Sequence, residues 1–254
     1  MTAVFVHGNP ETAAVWGPLL AQLGRDDAVC LSPPGFGAPL PAGFGATVTE
    51  YRDWLVGEVE ALGEPVHLVG HDWGGAHVVN LATARPDLLL SWTTDIIGVF
   101  DPDYVWHPLA QIWQRPGEGE QLVERMISGP LEPRVDRLVE RGITRPVAEQ
   151  LAAGQDADMG RAILALYRSA ARPALAVLGR DLPAAAARPG LCLLATDDDM
   201  VGTAEQRRRS AARAGARTEV LEGLGHWWMV QDPARGAQVL SAFWADVEAG
   251  QVDH

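Results

Sequence analysis

The chain has 254 residues, 47% hydrophobic and 21% charged, with no interior stretch of proline, serine or charge that reads as a linker; one domain with a large core and an inserted lid is expected. Its formal net charge is −13 and every one of its 20 basic residues is arginine, an average field that repels nucleic acid and anionic lipid. Met1 opens directly onto TAVFVHGNP, with no basic leader and no 18-residue apolar span later, so neither secretion nor membrane insertion is expected and the cytoplasm is the expected location.

In chain order, apolar and β-branched runs alternate with segments of helical period, the pattern of a parallel sheet covered by helices. Strands are expected near 3–7, 27–31, 65–70, 90–97, 190–196 and 216–221, and helices near 11–23, 47–62, 74–84, 203–214 and 233–248. Cys30 and Cys192 sit inside strand-like runs and read as buried free thiols; no metal cluster is visible. Residues 100–182 interrupt the alternation with short helical patterns rich in arginine, proline and aromatics. They read as a helical lid between two core segments, 1–99 and 183–254, over the strand ends where open α/β sheets bind ligands. The one basic run, RRR at 207–209, reads as the solvated face of the helix that begins near Thr203.

The first strand leads into His7-Gly8-Asn9-Pro10, a tight loop whose Asn9 N–H can face the turn after the third strand. That turn is Gly70-His71-Asp72-Trp73-Gly74-Gly75, a strand, a G-x-nucleophile-x-G turn and a helix, with aspartate at the centre. A helix-capping role is the plainer alternative for Asp72. A serine attacking a saturated carbon would leave an ether that water cannot readily cleave. A carboxylate leaves an ester with a hydrolysable carbonyl, so Asp72 points to epoxides or alkyl halides, with Asn9 and Trp73 N–H groups placed to hold the oxyanion of ester hydrolysis.

A base is then needed to activate water, late in the chain after the last strand, and of the seven histidines only His226, in GLGHWW, fits that order. His254 is terminal. The acid that orients it should follow the strand LCLLAT, where Asp197, Asp198 and Asp199 stand in succession; Asp198 is chosen, with Asp199 next and Asp95 after the preceding strand a third option.

With HGNP at 7–10, GHDWGG at 70–75, TDDDMVG at 196–202 and GLGHWW at 223–228, nearly the whole chain resembles the α/β-hydrolase superfamily, and within it the Asp-nucleophile branch of epoxide hydrolases and haloalkane dehalogenases. The resemblance implies the α/β-hydrolase fold, a mostly parallel central sheet flanked by helices, here trimmed of two N-terminal strands and carrying a short lid. The trimmed edge near 27–31 would need cover, from a homodimer or from the loop SPPGFGAPLPAGFG.

For an epoxide hydrolase the resemblance implies a lid tyrosine that protonates the departing oxygen. ALYRSA at 165–170 makes Tyr167 that acid, with Tyr104 or His107 as a second donor. For a haloalkane dehalogenase it implies side-chain N–H groups on Asn9 and Trp73 gripping the halide. Tyr167 and the Gly-Gly after Trp73 favour epoxide opening, without any cofactor, on a small apolar or weakly polar organic substrate. Tyr104, Trp106 and Trp227 are candidates to line its pocket, among aromatics that mostly pack. A non-catalytic ligand-binding homologue is the reading from another class, and ester hydrolysis is disfavoured by aspartate in place of serine.

Overall fold

The run Ala3–Val6 has all four side chains buried, which requires cover on both faces of the strand it forms. The computed structural model describes residues 1–251, and 252–254, the end of the expected segment 183–254 with His254 among them, lie outside the described residues. Strands β1 Ala3–Val6, β2 Ala28–Leu31, β3 Val66–Gly70, β4 Leu89–Thr94, β5 Gly190–Ala195 and β6 Ala216–Leu221 form one parallel sheet in the order β2-β1-β3-β4-β5-β6.

Alternation along each strand sends side chains to two cores. Ala3, Phe5, Val69, Leu191 and Leu193 pack with Trp16, Phe243 and Trp244 on one face, while Val4, Val6, Leu68 and Cys192 pack with Tyr51, Val79 and Leu81 on the other. Each fully buried large side chain contributes about 1.5–3 kcal/mol by removing apolar surface from water.

The first face carries α1 Gly17–Leu23, entered through a 3₁₀ turn at Ala13–Trp16. On the second lie α2 Val48–Ala61, started by a Thr47/Glu50 capping box, and α3 Trp73–Ala84. Between β4 and β5 the chain leaves the sheet for six helices: α4 Pro108–Gln114, α5 Glu118–Ile127, α6 Leu131–Val139, α7 Arg145–Ala153, α8 Ala157–Ser169 and α9 Ala174–Leu178. All six fall within 100–182. A 3₁₀ run at Gly179–Ala187 returns to β5; α10 Ala204–Arg213, α11 Trp228–Gln231 and α12 Pro233–Glu248 complete the chain. No single helix among the described residues is long and apolar enough to cross a membrane.

One difference from expectation has a local cause. The strand expected over 90–97 stops at Thr94, because Asp95 turns its carboxylate back to the N–H of Asp72. Strand β2 lies at the sheet edge with its residues only half buried, and the loop that follows packs on α2 and the lid: Tyr51 donates to the Pro34 carbonyl, and Leu40 N–H to Asp158.

The sheet reverses direction of growth at β1, which has β2 on one side and β3 on the other. The loops leaving the C-terminal ends of β1 and β3 therefore lie side by side, with Val6 in register with Gly70, at the crevice where such sheets bind ligands.

Candidate active site

Asp72 sits at φ 49°, ψ −129°, a positive φ that an L side chain rarely adopts, and this raises its carboxylate above the sheet. Its side chain makes no capping hydrogen bond to α3, so the capping alternative fails. The turn closes only around glycines: a Cβ on Gly8 would lie 2.3 Å from Asp72 Cβ, and one on Gly74 2.1 Å from the Val6 carbonyl oxygen. Asn9 N–H donates to Asp72 Oδ1 at 3.0 Å, and Trp73 N–H is among the unpaired donors of the first turn of α3.

His226, in the loop after β6, places Nε2 3.6 Å from Asp72 Oδ2 and Nδ1 2.9 Å from Asp198 Oδ2. Asp199 and Asp197 are exposed, and Asp95 reaches a different histidine. Burial works against charge on His226, yet Asp198, with help from Asp72, raises its pKa to about 9. Burial likewise works against charge on Asp198, and the His226 cation outweighs it to hold that carboxyl at about 2. For Asp72 burial prevails, and its pKa is raised despite the neighbouring imidazoles.

The arginine run is not a uniformly solvated face. Arg207 is buried and donates to the carbonyls of Ala195 at 2.9 Å and Asp198 at 3.1 Å, pinning the acid loop to the end of β5. Arg209 pairs with Asp101. A helix-face reading of RRR averages over three directions and misses the one that points inward.

A second buried cluster lies beside the first. His71 donates from Nδ1 to Asp95 Oδ2 at 2.6 Å and from Nε2 to Glu11 Oε1 at 3.2 Å. Its ring lies 4.7 Å from that of His226, centre to centre. Asp95 also accepts from Asp72 N–H at 3.0 Å and Trp228 Nε1 at 2.8 Å. Burial disfavours the His71 cation, but the two carboxylates raise its pKa well above the usual imidazole value, while Glu11 is drawn down to about 2. Glu11, directly after HGNP, is the residue that motif reading passes over; an acid there has no surface to occupy. Glu11, His71 and His226 bring ligand atoms within 4.8 Å, but the bonds already made to Trp227, Asp95 and Asp198 account for that closeness without a metal ion.

The lid closes over Asp72 with aromatics. Tyr167 of α8 is buried, its hydroxyl accepts from Asn9 Nδ2 at 3.2 Å, and its ring meets Trp73, Trp106 and Trp113 at 5.4, 5.3 and 4.7 Å. Burial raises the Tyr167 pKa well above 10, and the side-chain N–H groups of Trp73 and Asn9 work in the opposite direction. Among the described residues, Asn9 Oδ1 has no hydrogen-bond partner and Trp73 Nε1 forms no hydrogen bond of full geometry.

Other expected residues are placed differently. The Tyr104 hydroxyl donates to the Met200 carbonyl at 2.8 Å, which turns it from the role of second donor. His107 caps α4 by accepting from Ala110 N–H, and burial depresses its pKa to about 4. Trp227 gives its N–H to Glu11 and sets its ring edge-on to His226, while Trp106 stacks on Trp73.

Comparison with known proteins agrees with this architecture. The profile described as "Alpha/beta hydrolase family" matches residues 3–239. The chain is 30% identical over 135 residues to a haloalkane dehalogenase of Mesorhizobium japonicum, covering 48% of this chain and 42% of that one. It is 26% identical over 150 residues to an epoxide hydrolase of Caballeronia sordidicola, covering 56% and 44%. It thus spans less than half the length of either relative. The crystal structure of haloalkane dehalogenase DbeA from Bradyrhizobium elkani superposes with a TM-score of 0.72 at 19% identity, over 98% of this chain and 91% of that one.

Proposed function

Because this chain belongs to the alpha/beta hydrolase family, we propose that it is a hydrolase that opens epoxides to vicinal diols through an ester on Asp72. The observation that carries this reading is the Tyr167 hydroxyl, buried in the lid and held at 3.2 Å by the Asn9 side chain, whose own N–H neighbour grips the Asp72 carboxylate.

Asp72 Oδ1 is engaged by Asn9 N–H, so Oδ2 is the oxygen left to attack. As it bonds to an epoxide carbon the C–O bond breaks, and the departing oxygen takes the Tyr167 proton. Asn9 Nδ2 and Trp73 Nε1 lower the cost of the phenolate that remains. Oδ1 is then the ester carbonyl oxygen, already in the Asn9 donor, and the N–H groups of Asn9 and Trp73 receive its charge when water adds to Cγ.

His226 takes the proton from that water and returns it to the diol oxygen as the Cγ–Oδ2 bond breaks, which leaves Asp72 as a carboxylate. Before ester formation Asp72 helps keep the imidazole charged, and esterification removes that negative charge, so the imidazole gives up its proton, by way of solvent to the Tyr167 phenolate, and is a free base at the step that needs one. Asp198 holds the Nδ1 tautomer and stabilises the cation that forms.

One observation favours a second reading: Asn9 Nδ2 and Trp73 Nε1 are two neutral donors that both act on the Tyr167 hydroxyl, suited to a halide leaving group. Single turnover of styrene oxide in heavy-oxygen water, with mass analysis of the Asp72 peptide, tests the covalent route. Label in Asp72 is expected, and label found only in the diol rejects it. Halide release from 1-chlorobutane without any diol from epoxides would transfer the assignment to the second reading.

A further inference from the structure

Four lid arginines surround one cavity of about 260 Å³: Arg125 of α5, Arg134 and Arg137 of α6, and Arg141 just beyond it. In a chain with 33 acidic residues against 20 arginines, each would be expected to find a carboxylate. Among the described residues, none of the four has one within 4.0 Å.

The helical period of α6 explains the segregation. Arg134 and Arg137 stand three residues apart on one face, with Arg141 in the turn beyond, while Glu132 and Asp136 fall on the opposite face. There Glu132 and Asp136 bind Arg145 of α7, each at 2.7 Å. The acids of the helix are thus turned from the cavity and the arginines toward it.

Among the described residues, Arg134 donates only to the carbonyls of Ile127 and Ala152, and its buried Nε has no partner. Burial and the charge of Arg137 depress its pKa, as expected for a cation lacking a counter-charge. The remaining walls are chiefly apolar, which suits a short hydrocarbon body better than a polyanion.

The cavity adjoins the reaction centre through two residues. Pro10 in its floor follows Asn9, and Trp113 in its wall lies 4.7 Å from the Tyr167 ring. We propose that this arginine face receives the carboxylate of the substrate, and that epoxides carrying a carboxylate at the far end of a short apolar chain are the class this site takes. The substrate class rests on the epoxide reading above; the anion site does not. A guanidinium pair binds a carboxylate through paired N–H donors, and several unneutralised guanidinium groups draw it in from a distance.

Two measurements separate these claims. Calorimetry at low salt compares octanoate with 1-octanol on wild type and on the Arg137→Gln/Arg141→Gln double variant, with Arg125→Gln as an independent variant. Both doubled positions are exposed, and thermal melts confirm the fold. Octanoate is expected to bind about tenfold more tightly than octanol, and the advantage to vanish in the double variant. Octanoate binding no better than octanol, or unchanged by both variants, overturns the anion site whether or not the enzyme opens epoxides. In turnover, kcat/KM for an epoxy-carboxylate should exceed that for its methyl ester by about tenfold, again through Arg137 and Arg141. Equal turnover of the two sinks the substrate class and leaves the epoxide reading standing, whereas no diol from either with octanoate still bound removes the epoxide reading and with it the substrate class.

Discussion

The Asn9 side-chain amide donates to the Tyr167 hydroxyl at 3.2 Å, so one residue ties the loop after β1 both to the lid and, through its backbone N–H, to Asp72. Because the phenol oxygen accepts there, its own proton is free to be given to a leaving oxygen. Tyr167→Phe should lower diol formation about 100-fold, ~2.7 kcal/mol in barrier, with KM changed little. Any halide release should be unaffected, since a halide takes no proton. Equal loss in both assays would show that the ring, and not the hydroxyl, matters.

His226→Gln keeps the size of the side chain but removes the base. Alkylation of Asp72 should proceed and hydrolysis should stall, leaving an enzyme heavier by one substrate molecule in intact-mass spectra. Absence of that adduct, with the variant folded and substrate unconsumed, would place His226 in the first step instead.

The parts of this site that reveal themselves in sequence are those where geometry leaves little choice of residue. Gly8 and Gly74 face the Asp72 Cβ and the Val6 carbonyl too closely for any side chain, so HGNP and GHDWGG stand out as motifs. Asp198 was one of three adjacent aspartates, and only the turn of the loop, which buries it while exposing its neighbours, separates them. Glu11, His71 and Asp95 carry no such mark, because their partners are 60 and 24 residues apart in the chain. Arg207 was hidden inside a charged run whose average is exposed, and the lid arginines became a group only once α5 and α6 were placed around one cavity.

The pKa of His226, raised to about 9, gives a pH signature in two places. In the free enzyme the folded value exceeds the unfolded 6.5, so the Asp198 pairing stabilises fully below 6.5 and is lost as pH rises through 9. In the ester, Asp72 is neutral and the imidazole titrates lower. The hydrolysis rate in single turnover should therefore rise with pH through an apparent pKa below that seen for His226 by NMR in the free enzyme. A hydrolysis limb at or above the free-enzyme value would contradict release of the base by esterification.

Arg207→Met removes hydrogen bonds to the carbonyls of Ala195 and Asp198 while keeping most of the packing. The expected cost in urea unfolding is about 2–3 kcal/mol. With the acid loop loosened, Asp198 holds His226 less well, so the NMR pKa of His226 should fall and ester hydrolysis should slow about tenfold, more than alkylation does. Lost stability with an unchanged His226 titration would make Arg207 a purely structural residue.

Glu11 is fully buried and accepts from His71 Nε2 at 3.2 Å, Gly8 N–H at 3.4 Å and the indole of Trp227. Burial disfavours its charge, but the His71 cation overcomes this and holds the carboxyl at about 2, against an ordinary 4.5. A carboxylate depressed on folding stabilises above its unfolded pKa, and that contribution drains away as pH falls toward the folded value. Glu11→Gln leaves the His71 cation with Asp95 alone and should cost about 3 kcal/mol at pH 7. The gap between wild-type and variant urea midpoints should then narrow as pH is lowered from 4.5 toward 3, because the wild type loses what the variant never had. A gap that stays constant over that range would mean that Glu11 acts through shape and hydrogen bonds, and that the His71 charge is carried by Asp95.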